Sequence, residues 1–394
     1  MQQLKFTVDS RQKNENGVFF ALKGAKTDGH LFLMEAKANG AKVAYVSDEY
    51  KGDDFGLELH RVEDPFKTLQ ELARQKIHAA NPFIVGVTGS FGKTTTKEAL
   101  YLAFSKQKGC FRNPLNQNSQ IGLPLSILNC YSNEPLLFLE MGIEMPGDME
   151  NLARIAPPDV AVITRIAEAH LDTLQTLENI ALEKGKIVVT PKTKVQFVHY
   201  SASRFYPDNQ EGELKQIIYG QNGEPLFGDV FDLIEKMGGV LGLVPQPFTW
   251  KTPDLRYQTK MYQKGGVILD CYNANPTTMR IFFLSDHKMP TDLRRVAIIG
   301  QMESLGEKTE DYHMQLAIDL QNSFDVAFCI GKKMQLVFDF WEKQAKQVFW
   351  VETVDQLKPI IKQQIQPKDF VLVKGSNANR LWEVEPWLEQ ALNT

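Results

Sequence analysis

The residues best suited to chemistry lie in one stretch, Phe83-Ile84-Val85-Gly86-Val87-Thr88-Gly89-Ser90-Phe91-Gly92-Lys93-Thr94-Thr95-Thr96. The apolar run Phe83 to Val87 predicts a buried parallel strand. A glycine-rich turn follows, and Lys93 to Phe104 has the composition and apolar spacing of a helix. Strand, turn and helix in that order make a phosphate-binding loop. The glycines let backbone N–H groups and the positive end of the helix face an anion. Thr88, Gly89, Ser90, Gly92, Lys93, Thr94 and Thr95 are the candidate nucleotide residues. Lys93 would reach the β- and γ-phosphates, and the Thr94 hydroxyl would sit on Mg²⁺. The spacing departs from the usual loop. Four residues normally separate the first glycine from Gly-Lys-Thr; here Val87 holds that first place, with Gly86 too early and Gly89 too late.

Two further candidates follow predicted strands. Pro135 to Met141 ends near Glu140, and Asp159 to Ile166 is followed by His170 after a short loop. Ligands of an open parallel sheet bind at the carboxyl ends of its strands. Each alone reads better as a strand-end carboxylate and as a helix-cap or packed histidine, but together, at two strand ends of a phosphate-loop domain, a carboxylate and an imidazole favour a metal site. Leu177 to Val189 predicts a helix carrying Glu183-Lys184-Gly185-Lys186, and composition assigns Lys184 no role. Near the N-terminus, Asp9-Ser10-Arg11 and Lys26-Thr27-Asp28-Gly29-His30 are polar turns. Such turns are commonly surface loops, but Ser10, Arg11, Asp28 and His30 can also hold a diphosphate and a sugar.

The elements that position these residues are α/β throughout and divide into three expected domains. Residues 1–81 form a small α/β domain. It has strands at Gly17–Leu22 and Lys42–Ser47, a helix from His30 to Asn39 closed by Gly40, and a helix from Asp64 to Ala80 stopped by Asn81-Pro82. Residues 82–248 form a central phosphate-loop ATPase-type parallel sheet. Its later part has strands at Val195–Tyr200 and Gln216–Tyr219, turns at Gly212 and Gly220 to Gly223, and an amphipathic helix at Val230–Leu243 before Pro245-Gln246-Pro247. Residues 249–394 form a Rossmann-like domain, with strands at Val267–Asp270, Arg295–Gly300, Val326–Ile330, Gln347–Val351 and Phe370–Val373. It lacks a dinucleotide fingerprint, so NAD is not expected.

Composition narrows the function classes. The hydrophobic share of 43% and charged share of 23% are those of a soluble globular protein. A net charge of −4 argues against nucleic acid as a partner. No apolar run follows Met1-Gln2-Gln3-Leu4-Lys5, and none elsewhere has the length of a membrane span, so neither a signal peptide nor a span is expected. Cys110, Cys130, Cys271 and Cys329 lack metal-type spacing and fit buried thiols in a reducing cytosol.

Taken together, these stretches resemble the Mur ligases of peptidoglycan synthesis. Thr88-Gly89-Ser90-Phe91-Gly92-Lys93-Thr94-Thr95-Thr96 is similar to that family's ATP loop, displaced glycine included. Asp9-Ser10-Arg11 with Asp28-Gly29-His30 resembles its UDP-sugar domain. Tyr272-Asn273-Ala274-Asn275-Pro276 resembles the hallmark of the member that joins D-alanyl-D-alanine to UDP-N-acetylmuramoyl-tripeptide. The resemblance implies a cytoplasmic, monomeric, ATP- and Mg²⁺-dependent amide ligase with those two substrates. It also implies site roles: Lys93 and Thr94 on phosphates and Mg²⁺, Glu140 and His170 on metal, and Lys184 carbamylated as a metal ligand. Arg256 and Asn273 would meet the nucleotide, and Asn116 and Asn118 would lie near the peptidyl substrate. Lys93, Lys184 and His170 are thereby the expected catalytic residues.

The chain departs from the family pattern at Arg165 (usually Asn), Ala167 (Gly), Lys186 (Glu), Leu269 (acidic), Gln301 (Asp) and Asn377 (Arg). The segment between Lys184 and Arg256 is shorter than the resemblance implies and lacks an Asn-x-Asp-Asp strand end. Three other functions stay open at this level: a related ligase such as folylpolyglutamate synthetase, a phosphate-loop ATPase without ligase chemistry, and an ATP-binding protein without turnover.

Overall fold

A computed structural model describes residues 5–24, 26–207, 213–221, 228–250, 252–285, 287 and 293–393. The turns expected at Gly212 and at Asn222-Gly223 lie outside the described residues. The described chain holds three sheets and divides into two compact units. One unit joins Met1–Arg165 to Ala181–Phe248, and the other joins Ile166–Ile180 to Thr249–Thr394.

The first sheet is parallel, in the order β1 (Phe6–Thr7), β2 (Val18–Phe20), β3 (Val43–Ser47), β4 (Glu58–Val62). Its core gathers Phe19, Ala21, Leu33, Ala36, Ala44 and Val46. The helix expected from His30 begins as a 3-10 turn, Gly29–Phe32, and continues as Leu33–Ala38. The next helix, Pro65–Ala80, starts where Asp64 accepts from the N–H groups of Phe66 and Lys67, with proline in its first turn. It stops at Asn81, whose φ of 44° is left-handed, just before Pro82.

That helix fastens the first sheet to the second, within one unit. It packs along helix Gly122–Cys130. Lys76 Nζ donates to the carbonyls of Ile127, Leu128 and Tyr131 at 2.9, 3.1 and 2.6 Å. These carbonyls end a helix and have no partner in the next turn, so a cation there is favourable. Asn129 makes a second link. Its Oδ1 accepts from Phe6 N at 2.7 Å and its Nδ2 donates to Phe6 O at 2.9 Å. One side-chain amide thus pairs with edge strand β1 as a neighbouring backbone would.

The second sheet comprises β5 (Phe83–Thr88), β6 (Cys110–Arg112), β7 (Leu136–Glu140), β8 (Val160–Ile163), β9 (Val195–His199) and β10 (Lys215–Tyr219). All its pairs are parallel, in the order β10-β9-β8-β5-β7-β6. β5 lies between β8 and β7, so the phosphate loop leaves the middle of the carboxyl edge, where strand order reverses. The displaced glycine has a simple reason. Val87 is still in β5, in register with Glu140 and Val162. The chain turns only at Gly89, with φ of 146°, and a Cβ there would overlap Thr164 Oγ1.

The second unit is built on the third sheet: β11 (Gln258–Met261), β12 (Gly266–Asp270), β13 (Arg294–Gly300), β14 (Val326–Ile330), β15 (Gln347–Val351) and β16 (Asp369–Lys374). The order is β11-β12-β16-β13-β14-β15, parallel except for the antiparallel edge pair β11–β12. Val267, Leu269, Val296, Ile298, Phe328 and Val371 lie in its core. Helix Pro276–Leu284 opens with Asn275 in a capping box and proline in the first turn. Among the described residues no helix is long and apolar enough to cross a membrane.

Candidate functional site

Gly92, with φ of 85°, caps helix Lys93–Phe104 and turns the loop onto the helix axis. Lys93 Nζ lies against Gly89 O at 2.8 Å. The loop is zipped to the end of β8: Thr164 N donates to Thr88 O at 2.8 Å, Ser90 N to Arg165 O at 2.7 Å, and Thr164 Oγ1 to Phe91 O at 2.6 Å. On the β7 side, Thr88 Oγ1 donates to Met141 O at 2.9 Å. Thr88, Ser90 and Thr94 are buried, and Thr95 is half-buried.

Glu140 closes β7 directly beside the helix start, 1% exposed. Thr94 Oγ1 donates to its Oε2 at 2.7 Å, and Asn118 Nδ2 to its Oε1 at 2.6 Å. Two residues that sequence reasoning passed over complete this shell. Asn113 clamps the Glu140 backbone, accepting its N–H at 2.8 Å and donating to its carbonyl at 3.0 Å. Lys97, 0% exposed, puts Nζ 3.8 Å from Glu140 Oε2 and donates to Asn113 O and Leu115 O at 2.7 and 3.1 Å. Burial pushes the Lys97 pKa down, and Glu140 and Glu98 oppose that. The available sequence signal was a lysine one turn after Lys93 on a helix whose neighbours Thr96, Ala99 and Leu100 are buried. Asn116, in contrast, is exposed and uses its carbonyl to accept Asn118 N–H at 2.7 Å.

Lys184, near the end of helix Leu177–Gly185, is 1% exposed. Burial first, then the nearby charge of Lys93, hold its pKa well below the ordinary lysine value, against Glu183. Glu183 itself accepts the N–H groups of Gly147 and Met149 at 2.8 and 3.0 Å and pairs with Lys186 at 2.6 Å. The lysine at 186, a departure from the family pattern, is thus paired with a buried carboxylate.

The donor set at Thr94 and Glu140 fits a hard divalent cation. Both offer oxygen, and Asn118 and Lys97 aim the carboxylate. Among the described residues no group of three or more His, Cys, Asp or Glu side chains is placed to hold a metal. Few protein ligands is the pattern of Mg²⁺, which keeps waters and substrate phosphates in its shell.

The N-terminal turns form two separate clusters. Ser10 Oγ donates to Glu35 Oε2 at 2.5 Å, and exposed Arg11 folds back on Asp9 at 2.8 Å. Asp28 accepts His30 N–H at 3.0 Å and faces His30 Nδ1 at 2.6 Å, while His30 Nε2 accepts Ser47 N–H at 2.9 Å.

The remaining candidates lie in the second unit. His170 has a left-handed φ of 56° and starts helix Leu171–Leu174. The guanidinium of Arg256 stacks 3.7 Å from the centre of the Tyr272 ring. Asn273 is exposed, and its carbonyl accepts from Lys374 Nζ at 2.8 Å. Lys374 also pairs with Asp270 at 2.5 Å, so the ends of β12 and β16 and the Tyr272–Asn273 loop are one cluster. Leu269, at a departure from the family pattern, points into the core. Gln301, at another, accepts Lys333 N–H at 3.1 Å and donates to Glu303 at 2.6 Å.

A phosphate loop in mid-sheet, a threonine hydroxyl on a strand-end glutamate and a further parallel sheet in the same chain place the protein in the class of multidomain phosphate-loop α/β proteins. Residues 87–240 match the Mur ligase middle domain, and residues 256–377 match the Mur ligase, glutamate ligase domain. The chain belongs to the Mur ligase family. It is similar to the UDP-N-acetylmuramoyl-tripeptide–D-alanyl-D-alanine ligase of Treponema pallidum, at 29% identity over 98% of this chain and 93% of the relative. The enzyme of that name from Borreliella burgdorferi is 27% identical over 95% and 92%. The crystal structure of MurF ligase from Thermotoga maritima in complex with ADP superposes with a TM-score of 0.82, at 26% identity, covering 99% of this chain and 98% of that one.

Proposed function

We propose that the protein is an ATP-dependent ligase that joins D-alanyl-D-alanine to the carboxylate of UDP-N-acetylmuramoyl-tripeptide. The observation that carries this is the Thr94–Glu140 pair at 2.7 Å at the mouth of the phosphate loop, with buried Lys184, whose pKa the charge of Lys93 helps to lower, in the same unit. Relatives bearing that activity in their names align along nearly the full chain.

A carboxylate is a poor electrophile, because its charge repels an amine and oxide does not leave. Transfer of the γ-phosphoryl from ATP gives an acyl phosphate, with ADP leaving. The dipeptide amine then attacks the carbonyl, and the tetrahedral intermediate expels phosphate as the amide forms. Lys93 and the N–H groups at the helix start neutralise charge on the transferred phosphoryl. Thr94 and Glu140 would hold Mg²⁺, which when bound screens the phosphate oxygens. A second role is assigned to Lys184. Its lowered pKa raises the share of neutral amine, the form that adds CO₂, and a carbamate there would supply oxygen to a hard metal. His170, Arg256 and Asn273 are assigned to the metal and the nucleotide. Ser10, Arg11, Asp28 and His30 are assigned to the UDP-sugar, and Asn116 and Asn118 to the peptidyl end.

The test is Mg²⁺-dependent phosphate release from ATP with the UDP-linked tripeptide, with and without D-alanyl-D-alanine. Release that needs both substrates, and is lost in a folded Lys93→Ala variant, is the expected result. Release indifferent to the dipeptide would identify an ATPase or another acceptor and reject the reading.

A further inference from the structure

Arg165 touches the phosphate loop in two ways. Its carbonyl accepts Ser90 N–H at 2.7 Å, inside an isolated antiparallel bridge between Phe91 and Arg165. Its guanidinium lies 5.4 Å from the centre of the Phe91 ring, within cation–π range. The same guanidinium is ion-paired with Asp229, in the first turn of helix Gly228–Leu241.

Asp229 is 6% exposed, and its Oδ2 also meets Nε2 of His199 at 2.9 Å. His199 ends β9 and is 2% exposed. Its Nδ1 accepts Ser201 N–H at 3.2 Å and lies 2.8 Å from Ser201 Oγ. With Nδ1 accepting, the ring hydrogen sits on Nε2 and points at Asp229. Burial and then the charge of Arg165 keep the His199 pKa below its usual value, against the pull of Asp229, which agrees with a neutral ring. Packing leaves no slack: a Cβ on Gly220 would come 2.9 Å from His199 Nε2 and 3.1 Å from Asp229 Cγ. A buried carboxylate costs stability unless its partners are well placed. Here both partners act on one oxygen, and the result is a fixed direction for the Arg165 side chain.

We infer that Arg165, oriented by Asp229 and His199, is a positioning residue that holds the Ser90–Phe91 turn in its nucleotide-accepting shape before nucleotide binds. This rests on the nucleotide reading of the loop given above. A loop ordered in advance loses less conformational entropy on binding. Removing the guanidinium therefore frees the Phe91 side of the turn and lowers nucleotide affinity, while the bonds from Thr164 and the Arg165 backbone keep the loop attached to the end of β8.

The experiment is calorimetric titration of the full chain with ADP, paired with steady-state kinetics. Arg165→Met is expected to weaken ADP binding about tenfold at most, the size of a partly desolvated cation–π contact such as that with Phe91. KM for ATP should rise by the same factor, with kcat at saturating ATP and KM for the UDP-linked substrate unchanged. Arg165→Lys should recover part of the affinity, and Asp229→Asn should weaken it without lowering kcat. The double variant should be no weaker than Arg165→Met, because the residues act as one unit. Should Arg165→Met not fold, the near-isosteric Asp229→Asn and the charge-preserving Arg165→Lys carry the test. Wild-type ADP affinity in the folded variants, additive defects, or a fall in kcat with KM unchanged would each overturn the inference. No ADP binding by the wild-type protein would instead overturn the nucleotide reading itself.

Discussion

Thr94 Oγ1 donates to Glu140 Oε2 at 2.7 Å across the gap between the phosphate-loop helix and the end of β7, and Lys97 lies directly behind that bond. The hydroxyl and the carboxylate are the two hard oxygen donors of the site. Glu140 takes its direction from four neighbours: Thr94, Asn118, Asn113 and Lys97.

Lys97→Met is therefore predicted to act on both fold and site. It removes the cation 3.8 Å from Glu140 and the donor to the carbonyls of Asn113 and Leu115. Breaking such a buried pair costs about 3 kcal/mol. Loss of a group that orients a metal ligand typically weakens metal affinity about 10- to 100-fold. Urea unfolding and the Mg²⁺ dependence of phosphate release measure the two effects. A variant with unchanged Mg²⁺ requirement would show that Lys97 serves only the fold.

Lys184 gives a pH dependence with a definite sign. The unfolded chain titrates this lysine near the ordinary value of about 10.4, whereas burial and Lys93 hold it well below that in the fold. Between the two values the unfolded state binds more protons, so stability rises with pH across that window and the cost of burying the charge is complete below it. Lys184→Met carries no such cost. In CO₂-free buffer the variant should be the more stable protein at pH 7. Its advantage should shrink toward pH 10, by about 1.4 kcal/mol for each unit by which the pKa is lowered. Denaturant midpoints against pH measure this, and a difference that stays flat would contradict a lowered pKa for buried Lys184. Added bicarbonate should raise wild-type turnover and leave Lys184→Met unmoved.

The limits of legibility follow the range of the interactions. Helix Lys93–Phe104 and the helix from Asp64 to Ala80, stopped by Asn81-Pro82, were readable because apolar period and proline stop are local. Strands β5, β14 and β15 were readable because each is an apolar run between turns. β4 was missed: Glu58-Leu59-His60-Arg61-Val62 is an edge strand and mostly exposed, so its composition has no strand signature. β6 and β11 were missed because one has three residues and the other is an exposed edge. The strand read as Asp159–Ile166 ends at Ile163, because Thr164 and Arg165 turn to bond the phosphate loop. At the site, the loop itself was legible. The roles of Lys97 and Asn113 were not, since their partners are more than a helix length away in sequence. Arg165 could be noticed only as a departure; its buried partners Asp229 and His199 come from a helix and a strand farther along the chain.

The last prediction concerns the join between the first two sheets. β1 has only two residues, and its outer edge is met by the side chain of Asn129 through both Phe6 N and Phe6 O. A strand that short gains little from its own ladder, so the amide should decide whether it stays paired. Asn129→Ala removes both bonds and leaves the remaining contacts of helix Gly122–Cys130, including the Lys76 link, in place. The expected loss is about 1–2 kcal/mol for the two bonds, concentrated locally because strand edges open independently of the core. Hydrogen exchange measures it directly: the Phe6 amide should lose protection by about tenfold or more while the Val85 and Val87 amides of β5 keep theirs. Unchanged protection at Phe6 would mean that pairing with β2 alone holds the strand, and that Asn129 merely fills the gap beside it.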